Sequence, residues 1–175
     1  TPPSPVALQL LDAGGVTLRD EDRAILERIQ YIPSLTAMFV VDGAVNLPEP
    51  GAIQRKDEDF SWIADNYSKG ISSQHVVTLQ ANGRYSQQHF EDDEASIIAA
   101  FTKVLTPYLA KDTNIQESKL IRWRYALPIV TSPDNYLRAQ DVPSLYFAGD
   151  AFGGRGRLEG AVASGLAVAR ALGQR

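Results

Sequence analysis

The sequence predicts an α+β fold: a mixed, largely antiparallel sheet with flanking helices, ending in a strand-loop-helix. Three observations carry that prediction. Apolar and alternating runs cluster in the middle of the chain, between Leu35 and Leu127. Segments with helical spacing precede, interrupt and follow them, without the regular strand-helix alternation that a parallel sheet requires. The last apolar run, Leu145–Ala148, passes through glycines into a closing stretch of small residues.

Taken in order, the chain opens on a proline-rich extended segment, residues 1–5, with Pro5 placed to start a helix. Val6–Asp12 gives a short apolar turn or two, closed by Gly14-Gly15. Thr17–Asp20 has the spacing of a capping box, predicting a helix to about Gln30 with Ile25, Leu26 and Ile29 buried and Pro33 ending it. Leu35–Val41 is short and apolar enough for a buried strand, and Val45–Gly51 reads as a loop. Phe60–Ala64 and His75–Gln80 predict two further strands, the first ending at an Asp65-Asn66 turn. Asn82-Gly83 is a tight-turn dipeptide, but Arg84–His89 alternates poorly, so hairpin and chain break stand level.

Asp92 or Asp93 caps the clearest helix, in which Ala95, Ile98, Phe101, Leu105 and Leu109 recur at helical spacing. The acidic run Glu91–Glu94 belongs to that cap, since its carboxylates lack the alternating spacing of a calcium loop. Ser118–Leu127 alternates cleanly, with Ile121, Trp123, Tyr125 and Leu127 on one face and Leu120, Arg122, Arg124 and Ala126 on the other. The first of these faces is expected toward the core. The closing helix is expected over Leu158–Leu172.

Composition narrows the function classes. With 175 residues, 44% hydrophobic and 22% charged, the chain is an ordinary globular one. No apolar run approaches the roughly 20 residues of a membrane span. The net charge of −4 gives no general attraction to a phosphate backbone, so nucleic acid is not an expected partner. There are no cysteines, which excludes disulfides, thiolate metal sites and thiol nucleophiles, and fits a reducing, cytoplasmic setting. A histidine metal site or a Ser-His-Asp arrangement is possible only with one of His75 and His89, and each reads as structural or superficial.

Residues 145–172, LYFAGDAFGGRGRLEGAVASGLAVARAL, carry the chemistry. A strand ends in Gly149-Asp150, Gly153, Gly154 and Gly156 follow, and a helix rich in alanine and glycine begins. Glycines at a strand-to-helix turn let backbone N–H groups approach a ligand, and the helix start carries partial positive charge. Asp150 can accept hydrogen bonds from ribose or ribityl hydroxyls. The Gly154, Gly156 and Gly160 spacing is not the Rossmann fingerprint, because its third glycine falls one residue late, and there is no Gly-Lys-Ser/Thr of a Walker loop. On composition alone, a ligand site and a bare turn before a packed helix are about even.

Phe147-Ala-Gly-Asp150, Leu158-Glu-Gly-Ala-Val162 and Ser164-Gly165 together resemble the C-terminal motif of flavin-containing amine oxidases. Arg122-Trp-Arg-Tyr-Ala-Leu-Pro128, Trp62-Ile-Ala64, Ser68-Lys69 and Val76-Val77 are similar to segments of the renalase-like branch of FAD-dependent oxidoreductases. The resemblance implies that residues 1–140 are a substrate domain and 141–175 the last strand and helix of an FAD-binding domain. It implies a cofactor set of Gly149, Asp150, Arg157, Leu158, Glu159, Gly160 and Ala161. Gly149 and Asp150 would meet the ribityl and pyrophosphate region, with Leu158–Gly160 at the pyrimidine edge. Trp123 and Arg124 are the implied substrate contacts.

Two departures qualify the implied activity. Arg157 stands where the amine oxidases place an aromatic cage residue, which disfavours an amine and suits an anionic or nicotinamide-type substrate. The Gly-x-Gly-x-x-Gly unit that holds the ADP half of FAD is missing here, so the FAD site is incomplete in this chain and its missing part is the expected partner. The expected activity of the whole is transfer of a hydride from a small reduced substrate, with oxygen as electron acceptor. A non-catalytic binding domain and a carotenoid or porphyrinogen oxidase are the competing readings. No acid or base and no metal site is identified, and Lys69 reads as a turn lysine or, less simply, a flavin contact.

Overall fold

Leu35, Ala37, Phe39 and Val41 alternate along the chain and form the buried face of a long strand, β1 (Gln30–Val41). The computed structural model describes residues 2–154 and 156–173, so Thr1 of the proline-rich opening lies outside the described residues. The chain divides into two compact units, Thr1–Ile32 with Tyr125–Arg175, and Pro33–Arg124.

Pro33–Arg124 contains most of a five-stranded sheet in the order β2 (Ala52–Gln54), β3 (Phe60–Asp65), β4 (Val76–Ala81), β1 and β5 (Ile115–Val130). The β1–β4, β2–β3 and β3–β4 pairs are antiparallel, and Thr36 faces Gln80 while Val40 faces Val76. Pro33, expected to end a helix, instead lies inside β1. It precedes the Thr36–Val40 stretch that pairs with β4, so its missing N–H disturbs no bond in that ladder.

Two helices join this sheet. In α3 (Gly83–His89) the Asn82 side chain accepts from the Tyr85 N–H at 2.8 Å, so the Asn-Gly dipeptide caps a helix and makes no hairpin. The change of period explains it: Ser86 is turned fully inward, where its Oγ accepts from the Leu35 N–H at 2.9 Å. In α4 (Glu94–Leu105) Asp93 is the cap, accepting from the Ser96 N–H at 3.0 Å. Ile97, Phe101 and Leu105 lie one turn apart and enter the core with the β1 face, Val77 and Leu79.

β5 does not bury the expected face as a whole. Of that face, Ile121 and Tyr125 are half-buried, while Trp123 is 54% and Leu127 46% exposed. Leu120, on the other face, packs against the core, as does Ile115 at the start of the strand. Arg122 and Arg124, on the same face as Leu120, are exposed, and Arg122 reaches the Phe90 and Asp92 carbonyls at 3.0 and 2.7 Å. Alternation identifies two faces but not how far each is buried.

The other unit holds α1 (Ser4–Ala13), α2 (Asp20–Glu27), the two-stranded β6 (Leu137–Arg138) and β7 (Tyr146–Phe147), and α5 (Leu158–Gly173). Ala7, Leu8, Leu26 and Ile29 share a core with Ala139, Phe147, Ala151 and Phe152. Compactness therefore cuts the chain elsewhere than at residue 140, because α1 and α2 bury their apolar stripes against residues 137–152. The expected capping box does not form: Arg19 is the N-cap of α2 and makes no side-chain cap bond. The helix stops at Glu27, short of Gln30, where β1 begins. Asp22 of its first turn is buried, accepting from the Gln140 N–H at 2.9 Å and pairing with Arg19. Among the described residues no helix is long and apolar enough to cross a membrane.

Candidate functional site

The turn after β7 is fixed by a small set of backbone bonds. The Gly149 N–H donates to Ser164 Oγ at 2.9 Å, tying the end of the strand to the second turn of α5. The Gly153 N–H donates to the Asp134 carbonyl at 2.7 Å and the Gly154 N–H to that of Ser132 at 3.0 Å. All four glycines of the turn have positive φ, from 146° at Gly149 to 49° at Gly156, and a Cβ on Gly156 would stand 3.0 Å from the Pro128 carbonyl oxygen. Ser164 is fully buried and serves as the pin of the turn. Replacing Ser164 with alanine is expected to cost about 1–3 kcal/mol by stranding the Gly149 donor. Faster amide exchange at Gly149 in the variant, together with a lower urea midpoint, checks that loss.

This geometry brings the expected cofactor residues together. Gly149, Asp150, Arg157, Leu158, Glu159 and Ala161 line one open cleft of about 1040 Å³, with Leu127, Pro128, Ile129 and Thr131 on its apolar side. Gly160 does not line the cleft; it is buried in the first turn of α5. That first turn begins at the cleft wall, and its leading N–H groups have no partner within the helix. The Arg157 side chain is exposed and makes no salt bridge among the described residues, while its carbonyl accepts from the Ala161 N–H at 3.0 Å. The cleft thus offers a carboxylate, a helix start and a free guanidinium beside an apolar wall, a set suited to a large ligand with hydroxyl and electron-rich groups.

α5 carries a further feature. Leu158, Val162 and Leu166, each one turn from the next, are 78%, 55% and 52% exposed. A row of bare aliphatic side chains at this spacing is the ridge by which a helix packs on a neighbour.

Trp123 and Arg124, the expected substrate contacts, belong to the Pro33–Arg124 unit. Arg124 is already engaged there, pairing with Glu91 at 2.9 Å and lying over the Phe90 ring at 4.5 Å. Its neighbour Arg122 holds the two carbonyls described above.

The same unit holds a polar cluster that no sequence spacing announced. Asp65 is fully buried at the end of β3, where it accepts from the Tyr67 and Ser68 N–H groups, from Ser68 Oγ at 2.7 Å and from His75 Nδ1 at 2.8 Å. Burial acts to raise the Asp65 carboxyl, but the hydrogen bonds from Ser68, His75 and Tyr67 outweigh it and hold its pKa below the ordinary carboxylate value. His75 therefore has the carboxylate partner that the sequence did not reveal. Lys69 is a turn residue, its N–H bonded to the Asp65 carbonyl. His89 pairs locally with Asp92 at 2.7 Å.

Residues 1–173 match the family described as flavin containing amine oxidoreductase. Among solved structures, the chain is similar to a candidate protoporphyrinogen oxidase from Exiguobacterium sp. 255-15, at 15% identity and a TM-score of 0.45. The similarity covers 73% of this chain and 28% of that one. No curated protein matches the chain.

Proposed function

The chain belongs to the flavin-containing amine oxidoreductase family, and from that premise we propose that it is part of an FAD-dependent oxidoreductase whose flavin lies against the cleft at Gly149–Ala161. One observation carries this reading: residues separated along the chain, from a strand end, a glycine turn and a helix start, line a single cleft. The residues fit a flavin chemically. Asp150 is an acceptor for ribityl hydroxyls, and the turn at Gly149 and Gly156 brings backbone close to a ligand. The leading N–H groups of α5, which have no partner within the helix, suit the electron-rich pyrimidine edge.

Bound FAD would supply the hydride acceptance and electron transfer; the chain supplies position and charge. The start of α5 stabilises negative charge beside it, an effect that strengthens where water is excluded. Leu127, Pro128 and Ile129 provide the apolar side that excludes it. Arg157 adds a fixed positive charge where a substrate anion would be held. On this reading the cofactor wall lies in the Thr1–Ile32 and Tyr125–Arg175 unit. A Gly-x-Gly-x-x-Gly unit, the missing part of the same protein, completes the site and covers Leu158, Val162 and Leu166. The renalase-like branch is favoured by the Arg122–Pro128 segment, with a small reduced substrate, oxygen as acceptor and a cytoplasmic setting.

Titration of the ¹⁵N-labelled chain with FAD tests this. Shifts are expected at Gly149, Asp150, Gly154 and Leu158–Ala161, with a dissociation constant of about 1 mM, equivalent to about −4 kcal/mol. Adenosine monophosphate should leave these amides unmoved. Absence of shifts there at saturating FAD overturns the flavin reading and favours a non-catalytic binding domain. Submicromolar binding would instead overturn the claim that the site is incomplete.

A further inference from the structure

A second cavity, of about 400 Å³, shares Gly149 and Asp150 with the flavin cleft and lies wholly within the same unit. Its volume falls in the range of small-molecule sites, and its walls are apolar except at one end. Ala7 and Leu11 of α1 and Phe147 of β7 form the apolar part. Tyr31 and Tyr125 form an aromatic corner, edge to face with ring centres 5.8 Å apart. The polar end holds the Tyr31 hydroxyl, which accepts from the Ser4 N–H at 3.4 Å, and the Asp150 carboxylate.

We propose that this cavity binds a neutral, apolar aromatic molecule carrying one hydroxyl group, its ring against Tyr31, Tyr125 and Phe147 and its hydroxyl between Tyr31 and Asp150. The selectivity follows from the two polar groups. Burial pushes the Tyr31 phenol up, and the nearby Asp150 charge adds to this against the hydrogen bonds from Ser4, so the phenol keeps its proton to donate. Asp150 can only accept. A hydroxyl satisfies both, because it donates to one group and accepts from the other. A carboxylate would face Asp150 across an apolar space, and an unsubstituted ring would offer neither group a hydrogen bond. The aromatic corner favours a ring over a branched aliphatic body, since edge-to-face contacts add to the area buried.

The inference goes beyond the proposed function and does not rest on it. Binding itself is independent of the flavin.

The test uses the chain without FAD and three probes: 2-naphthol, naphthalene and 2-naphthoate. 2-Naphthol is expected to shift the Phe147 and Ala148 amides and the Tyr31 ring signals. Naphthalene should bind about tenfold more weakly, having lost the hydrogen-bonded pair, and 2-naphthoate more weakly still. Asp150→Ala should remove the preference of 2-naphthol over naphthalene, and Ala7→Phe, which fills the cavity, should abolish binding of both. Equal affinity for all three probes in the unsubstituted chain overturns the proposal, as does 2-naphthol binding that leaves the Phe147, Ala148 and Tyr31 signals unmoved. Exclusion of 2-naphthol because a polypeptide segment fills the cavity also overturns it. FAD shifts at Leu158–Ala161 without 2-naphthol shifts at Phe147 overturn this proposal alone; the reverse pattern overturns the flavin reading alone.

Discussion

Phe101→Ala is expected to cost about 3–5 kcal/mol, the range for truncating a fully buried phenylalanine. Phe101 is 0% exposed and meets Phe60 edge to face at 4.8 Å, while Phe60 in turn contacts Tyr85 at 4.9 Å. Deleting the ring therefore opens a cavity at the junction of α4, β3 and α3, and it also removes an aromatic pair whose geometry adds to area burial. Urea denaturation should show a lower midpoint at unchanged slope. Amide exchange at Phe39 and Leu79 should accelerate with it, since both share the Phe101 core. Phe101→Leu should recover a large part of the loss. A midpoint unchanged within error would mean that α4 does not depend on this core.

Asp65→Ala is expected to cost about 3 kcal/mol or more at neutral pH, because hydrogen bonds to a charged acceptor are the stronger ones and their buried donors would be stranded. The loss should carry a pH signature. The folded carboxyl lies below its ordinary value, so its contribution is fully present above the unfolded carboxylate value of about 4 and is lost as pH falls through the lower folded one. The difference between parent and Asp65→Ala, measured by urea denaturation in a His75→Gln background, should therefore stay level from pH 7 to about 5. It should shrink only below about 4. A difference that shrinks already between pH 7 and 5 would show that the carboxylate is not held low. Asp65→Asn should retain part of the stability, since its one amide oxygen can still accept from either the Tyr67 or the Ser68 N–H, but it should lose the acid dependence.

Local signals in the sequence succeeded where one residue and its near neighbours suffice. Gly14-Gly15 does close α1, Asp93 does cap α4, and the run at Leu145–Ala148 does lead through positive-φ glycines into α5. They failed where a local pattern admits two outcomes and packing chooses. Asn82-Gly83 could turn a hairpin or cap a helix, and the inward Ser86 serving Leu35 selects the helix. The alternating β5 could bury either face, and the core took Leu120 from one while Trp123 of the other stayed outside.

The site was legible to the same degree. Residues 145–161 are contiguous, and the glycines and small residues of that stretch have few other uses than a close strand-to-helix turn. Gly149, Asp150 and the Leu158 helix start could therefore be named from spacing and family resemblance alone. Ser164 as the pin of Gly149, Asp65 as the partner of His75, and the Tyr31–Tyr125 corner could not. Each joins groups ten or more positions apart.

The sequence by itself determined the α+β class, the flavin-family motif at Gly149–Ala161 and the helix start it contains, because backbone sterics and short-range periodicity act within a few residues. Only the tertiary structure decided which face of β5 is buried, which arginines remain free, and that α1 and α2 share their core with the strand-loop-helix. Those outcomes depend on excluding water from surfaces brought together across the whole chain, and no local stretch of sequence records which surfaces meet.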